Sequence, residues 1–312
     1  MPGAFAHLTL VNVARETPRL AAIEGFPRAA IAILQRHLSF CELGAVSPDY
    51  PYLALTDGDA KVWADKMHYD RTGETVQAGV RHLRKMTGAA KEKGLAWLLG
   101  YTAHLTTDVT IHPVVELKVG PYEQNKRAHR VCEMNQDAYI FDRLDLGGMG
   151  LAEHLDSGIE TCRHSSDRER LDEGVTALWT AMLGDIHDGE AARNPPNPDL
   201  WHRSFQFLVD KIAEHGGWLV PLSRHTVGDT GTFYPKRKDV DMQYIRALGV
   251  PGGEHMDYDA IFDKAVANVV DRWRAVASSV LGENENLLAA VGNWNLDTGR
   301  DEEKRLVFWS EA

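Results

Sequence analysis

An all-α fold, an irregular multi-helix bundle, is what this chain predicts, and three observations carry the prediction. Apolar residues recur at helical spacing along most of its 312 residues. No apolar/polar alternation lasts longer than a few residues, so nothing argues for a sheet. Clusters of Gly and Pro separate the helical stretches, as turns do.

In chain order, residues 19–40 align Leu20, Ile23, Ile31, Leu34 and Leu38 at helical spacing, with Pro27 marking a break or restart. Residues 72–91 place Val76, Val80, Leu83 and Met86 on one face, and Gly94 precedes a helix over 95–113. Residues 125–144 carry Val131, Met134, Ala138, Ile140 and Phe141, ahead of a Gly147-Gly148-Met149-Gly150 turn. Helices over 157–183, 199–216 and 257–281 complete a set of about seven. Residues 217–254 resist this reading. Their Gly228, Gly231, Pro235, Lys236-Arg237-Lys238 and Pro251-Gly252-Gly253 suit either a surface loop or a lid over a pocket.

At 44% hydrophobic and 25% charged residues, the chain has the composition of a soluble globular protein with an ample core. No linker divides it. The Asn194-Pro195-Pro196-Asn197-Pro198 cluster reads as a surface loop, so one domain over 1–312 is expected. Cys41, Cys132 and Cys162 are odd in number and widely spaced, against a disulfide framework. The N-terminal stretch has neither a basic region nor a sustained apolar one, and no apolar run reaches membrane-spanning length. A cytoplasmic location follows as the expectation. The net charge of −11 disfavours binding to a nucleic-acid backbone. It leaves a phosphate-bearing substrate open, because bound cations reverse the local charge. Nothing in the sequence fixes an oligomeric state.

The chemistry concentrates in residues 100–113. His104, Asp108 and His112 stand four apart, and i,i+4 positions drift only about 40° around a helix, so all three share a face. Trp97, Leu98, Leu99, Tyr101, Leu105, Val109 and Ile111 make that helix apolar. Polar groups on a buried helix must be paired or metal-bound. Imidazole with carboxylate suits zinc, and also manganese or iron. His129 and Glu133 repeat the spacing one helix later, while Glu116, beyond Pro113, reads as an exposed charge.

Other candidates then fall into order: His7 near the start, Asp49 in a turn after Pro48, and His68 in Lys66-Met67-His68. The ordered series His7, Asp49, His68, His104, Asp108, His112, His129, Glu133 resembles the zinc-dependent phospholipase C family, whose superfamily includes the P1-type nucleases. The resemblance covers about the first 140 residues. It implies an all-α protein of that type holding two or three zinc ions in a cleft. Asp49, His68 and His104 would hold one ion, with Asp108 bridging it to a second. His112, His129 and Glu133 would hold another. His7, Asp108 and the terminal amine would complete the set. Asp49 would also orient or deprotonate the attacking water. Two departures stand out. The terminal residue would be Met1 or Pro2 rather than the tryptophan of secreted members, and the Asp108–His112 gap is tighter.

Around this set, Asp137 is expected to orient His129, one turn beyond Glu133. Phe40, Tyr50, Tyr52, Trp63 and Tyr101 wall the cleft or pack the core. His154, His164, His187, His202, His215, His225 and His255 lack ligand spacing and read as surface or capping residues. The functional expectation is a metal-dependent hydrolase of a phosphoester, a phosphodiester first, acting on an intracellular small-molecule or lipid-derived substrate. The alternatives are other metabolite chemistry on the same scaffold and a non-catalytic, metal-stabilised binding protein.

Overall fold

The computed structural model describes residues 3–54, 57–145, 158–167, 169–214, 234–282 and 289–311. The expected all-α class holds: 71% of the structure is helical, and the only sheets among the described residues are two antiparallel two-stranded hairpins. The helices are α1 (Ala4–Ala14), α2 (Thr17–Ala21), α3 (Arg28–Arg36), α4 (Leu38–Val46), α5 (Tyr50–Leu53), α6 (Ala60–Tyr69) and α7 (Thr72–Lys85). They continue with α8 (Gly88–Val119), α9 (Tyr122–Ile140), α10 (Glu173–Ile186), α11 (Asp188–Ala191), α12 (Pro198–Glu214) and α13 (Tyr258–Leu281). Strands β1 (Leu248–Gly249) and β2 (His255–Met256) form one hairpin, β3 (Trp294–Asn295) and β4 (Arg300–Asp301) the other. No helix among the described residues is long and apolar enough to cross a membrane.

The long helix α8 is the axis of the molecule. Every residue from Gly94 to Val115 is buried, the face carrying His104, Asp108 and His112 included. It packs against α4 on one side and α13 on another. The α4 contact is backbone against backbone. A Cβ on Gly44 would come 2.0 Å from the Trp97 carbonyl oxygen, and one on Gly100 would come 1.9 Å from that of Cys41. Two glycines therefore let the helix axes approach more closely than side chains allow. On the α13 side, the Trp273 indole N–H donates to the Leu99 carbonyl at 2.7 Å. The helix α1 is buried from Ala4 to Val11, threading a ligand candidate through the core.

Three sequence expectations need correction. The helix expected to stop at Pro113 continues to Val119. Proline removes the N–H that would bond the Val109 carbonyl. The C-terminal segment covers this opening: Gly299 packs against the Val109 oxygen, and the Trp309 indole donates to Thr110 O at 2.8 Å. The helix expected over 157–183 begins only at Glu173, where Asp172 caps it by accepting from the Gly174 and Val175 amides. Finally, the described part of 217–254 is docked rather than a free excursion. Ile245, Leu248 and Val250 are buried, and the Tyr258 amide donates to Ile245 O at 2.8 Å. Residues 217–233, the remainder of the expected loop or lid, lie outside the described residues, as do His154, His215 and His225.

Gly100→Ala tests the close approach of α4 and α8. The added methyl cannot fit without moving a backbone, so a loss of at least about 1–3 kcal/mol in unfolding free energy is expected by chemical denaturation. Unchanged stability would mean that the two helices do not meet at this glycine pair.

Candidate metal centre

Each candidate ligand reaches the centre on a separate packed element. The α1 helix brings His7, the turn before α5 brings Asp49, and α6 brings His68; α8 brings His104, Asp108 and His112, while α9 brings His129 and Glu133. All eight are at most 3% exposed. Two groups of three ligand atoms lie within 4.8 Å of one another: His7, His104 and Asp108, and Asp49, His68 and His104. They share His104. The Asp108 carboxylate divides its oxygens, with His7 Nε2 3.2 Å from Oδ1 and His104 Nε2 3.5 Å from Oδ2. His68 Nε2 lies 3.5 Å from Asp49 Oδ1 and 3.4 Å from His104 Nε2. The Glu133 Oε1 atom lies 3.8 Å from both His112 Nε2 and His129 Nδ1, a third and looser group.

At His68, His104, His112 and His129 the backbone decides which ring nitrogen carries the proton. A carbonyl oxygen can only accept, so the ring nitrogen facing one must carry the proton. His68 Nδ1 donates to Ala64 O at 2.7 Å, and His104 Nδ1 donates to Ala45 O at 2.9 Å. His129 Nε2 donates to Gly120 O at 2.6 Å, and His112 Nδ1 donates to Leu296 O. In the neutral rings the opposite nitrogens are therefore lone pairs, aimed at one another and at carboxylates. The Nε2 atoms of His68 and His104 face each other in this way. Neither Asp108 oxygen accepts a hydrogen bond from the described residues, nor do Asp49 Oδ1 and His112 Nε2 have such a partner. Buried polar atoms so arranged are costly unless a cation lies among them. Around tetrahedral zinc, neighbouring ligand atoms are about 3.3 Å apart. The separations of 3.2–3.5 Å in the two tighter groups match that edge. The residues present fit zinc.

The electrostatics agree. Burial lowers His104 to about 4, and His112 likewise, so both imidazoles are neutral and available at pH 7. Burial raises Asp108 above its ordinary value, outweighing the opposing influence of His104, His112 and His68. For Asp49 burial pushes upward too, but the His68 contact and the charges of His104, His68 and His7 outweigh it, and its pKa ends lower than usual.

Several expectations around the ligands are revised. Asp137 does not orient His129; that task falls to the Gly120 carbonyl. Its carboxylate instead caps α1, accepting from the Gly3 and Ala6 amides at 3.1 and 3.2 Å, and from the Tyr234 hydroxyl at 2.9 Å. The N-terminus of a helix favours a carboxylate for its unpaired amides and its dipole. Asp137 thus fixes where α1 delivers His7. Phe40, Tyr50, Trp63 and Tyr101 are core residues, and Tyr52 alone of that set rings a ligand, 5.5 Å from His68. His187 takes the capping role allowed for it, between α10 and α11, and packs against Trp63; His202, expected as a surface or capping residue, is instead buried against Tyr50. The terminal amine belongs to residues 1–2, outside the described residues. No local signal marks the four backbone carbonyls, because their partners lie between 4 and 184 residues away.

A buried array of imidazoles and carboxylates in an all-α protein defines a candidate multinuclear metal centre. The family model described as zinc dependent phospholipase C matches residues 6–189, more than half of the chain and all eight candidates. The chain belongs to the zinc-dependent phospholipase C family. No curated protein and no solved structure matches it.

The Asp137 cap has a pH signature. Burial raises its carboxyl to about 7 from 3.8, so it adds stability below pH 3.8 that is lost as pH rises through 7. Asp137→Asn keeps an acceptor for the amides without the titration. In metal-free protein, the variant's stability relative to wild type should climb by up to about 4 kcal/mol between pH 4 and 7, then level off. Denaturant unfolding across that range checks it, and a flat difference would contradict it.

Proposed function

We propose that this protein is a zinc-dependent phosphoester hydrolase, acting first on phosphodiesters of small molecules or lipid-derived compounds. The observation that carries the reading is the pair of buried ligand groups sharing His104, with imidazole nitrogens bared by backbone carbonyls, in a chain of this family. His7, Asp49, His68, His104, Asp108, His112, His129 and Glu133 would hold two or three ions. Zinc, when bound, stabilises negative charge on the phosphoryl group and acidifies water near neutral pH. The chain's own part is to hold donors neutral and fixed. Burial keeps His104 and His112 unprotonated in the working range. Asp108, with oxygens turned toward different histidines, would bridge two ions. Asp49 stays ionised and offers Oδ1 as the acceptor for a proton from the attacking water. The net charge of −11 supports a compact phosphoester rather than a nucleic-acid polymer.

Elemental analysis of the purified protein, with chromogenic phosphomonoesters and phosphodiesters as substrates, is the direct test. Two or three zinc equivalents with diester turnover support the reading; stoichiometric zinc without turnover of any phosphoester rejects it. His104→Ala and Asp108→Ala should each release metal while retaining helix content by circular dichroism. Asp49→Asn should lower turnover by about 100-fold or more, well beyond its effect on total metal. Full zinc content in the His104 or Asp108 variant would remove that residue from the ligand set.

A further inference from the structure

The family match ends at residue 189, yet the chain keeps a segment from its far end against the candidate centre. The hairpin β3–β4 and the residues before it form a strap across α6, α7 and α8. Its hinge is Leu296, buried and bonded at both ends of its residue. The Leu296 amide donates to the His68 carbonyl at 3.0 Å, and the Leu296 carbonyl accepts from His112 Nδ1. One residue of the strap thus grips two candidate ligand residues on different helices.

The strap is anchored on both sides. The Thr72 hydroxyl donates to Trp294 O at 3.1 Å and accepts from the Trp294 amide at 2.8 Å, fully buried. Asn293 Oδ1 caps α7 by accepting from the Gly73 and Glu74 amides. Gly299, at φ +66°, lies so close to α8 that a Cβ would come 2.4 Å from Pro113 Cγ and 2.7 Å from Val109 O. Tyr69, the neighbour of His68, donates to Asp297 Oδ2 at 2.9 Å.

We propose that this C-terminal strap is a positioning element of the metal centre, locking His112 in the tautomer that presents Nε2 to a divalent cation. The proposal rests on the zinc-binding reading given above. The physical argument is specific to His112. An imidazole with no partner on Nδ1 exchanges tautomers and turns about its bonds, whereas an acceptor there fixes both. His68 and His104 find that acceptor on α6 and α4, and His129 finds one for its Nε2 in the turn before α9, all inside the family match; His112 finds its own 184 residues away. Loss of such an outer contact typically weakens metal affinity by about 10–100-fold.

The test uses full-length protein, zinc competition against a chromogenic chelator, and the visible spectrum of the cobalt-substituted form. Thr72→Val keeps the shape of the side chain but removes both anchoring hydrogen bonds, and Thr72→Ser restores the hydroxyl. Gly299→Val forces the strap from α8. Thr72→Val and Gly299→Val should release one zinc equivalent at about tenfold lower chelator and alter the cobalt spectrum, with Thr72→Ser close to wild type. If Gly299→Val does not fold, the Thr72 pair decides. Wild-type affinity and spectrum in Thr72→Val would overturn the strap's role while leaving zinc binding intact. A wild-type protein that takes up neither zinc nor cobalt would overturn the metal-centre reading itself, and the strap proposal with it.

Discussion

The rest of the structure depends on a carboxylate that has no exposure and no hydrogen-bond donor among the described residues, in the middle of an apolar helix. Asp108 sits on α8 with buried residues for more than a turn in both directions. Its desolvation penalty demands an opposite charge close by. Neither His104 nor His112 supplies one, because the same burial holds both neutral. An uncompensated carboxylate and a cluster of facing lone pairs are unfavourable in the chain alone and favourable around cations. The apolar residues that make α8 a core helix are thus what makes its polar face a candidate binding site.

That logic explains how much the sequence discloses. The all-α class, the break at Pro27 and the α12 and α13 segments are legible because each is written in local spacing. The His104-Asp108-His112 ladder needs only the helical period to converge. His7 was readable as a candidate through its order in the family pattern. Nothing local showed that α1 would be buried from Ala4 to Val11. What was not legible is non-local or carried by the backbone. By i,i+4 spacing Asp137 points to His129, yet a helix terminus arriving from the start of the chain claims it. Pro113 reads as a stop, but tertiary cover from Gly299 and Trp309 lets α8 continue.

The Gly44–Gly100 contact links helix packing to the chemistry. It draws the α4 backbone onto α8 so that the Ala45 carbonyl, one residue past Gly44, reaches His104 Nδ1 at 2.9 Å. A larger residue at either glycine would separate the helices by more than the slack in that hydrogen bond. The same turn of α4 leads into Ser47, which accepts from the Trp97 indole, and on to Asp49. The candidate ligands on α8 and the carboxylate that precedes α5 are therefore registered to each other by this steric fit together with the His104–Ala45 and Trp97–Ser47 hydrogen bonds.

Donors and their orientation come from different parts of the molecule. The donor atoms all lie between residues 7 and 133, so a short stretch of sequence can carry them as a motif. The acceptors that choose the tautomers of His104, His68, His129 and His112 are main-chain carbonyls of Ala45, Ala64, Gly120 and Leu296, and any residue type offers a carbonyl. Side-chain identity constrains the first layer, whereas only backbone placement constrains the second. Segments such as the strap can then differ widely in sequence and still perform the same positioning, provided the hydroxyl of Thr72 and the absent side chain of Gly299 keep them in place. This is a physical reason for a recognisable family core to end well before the residues that complete its geometry.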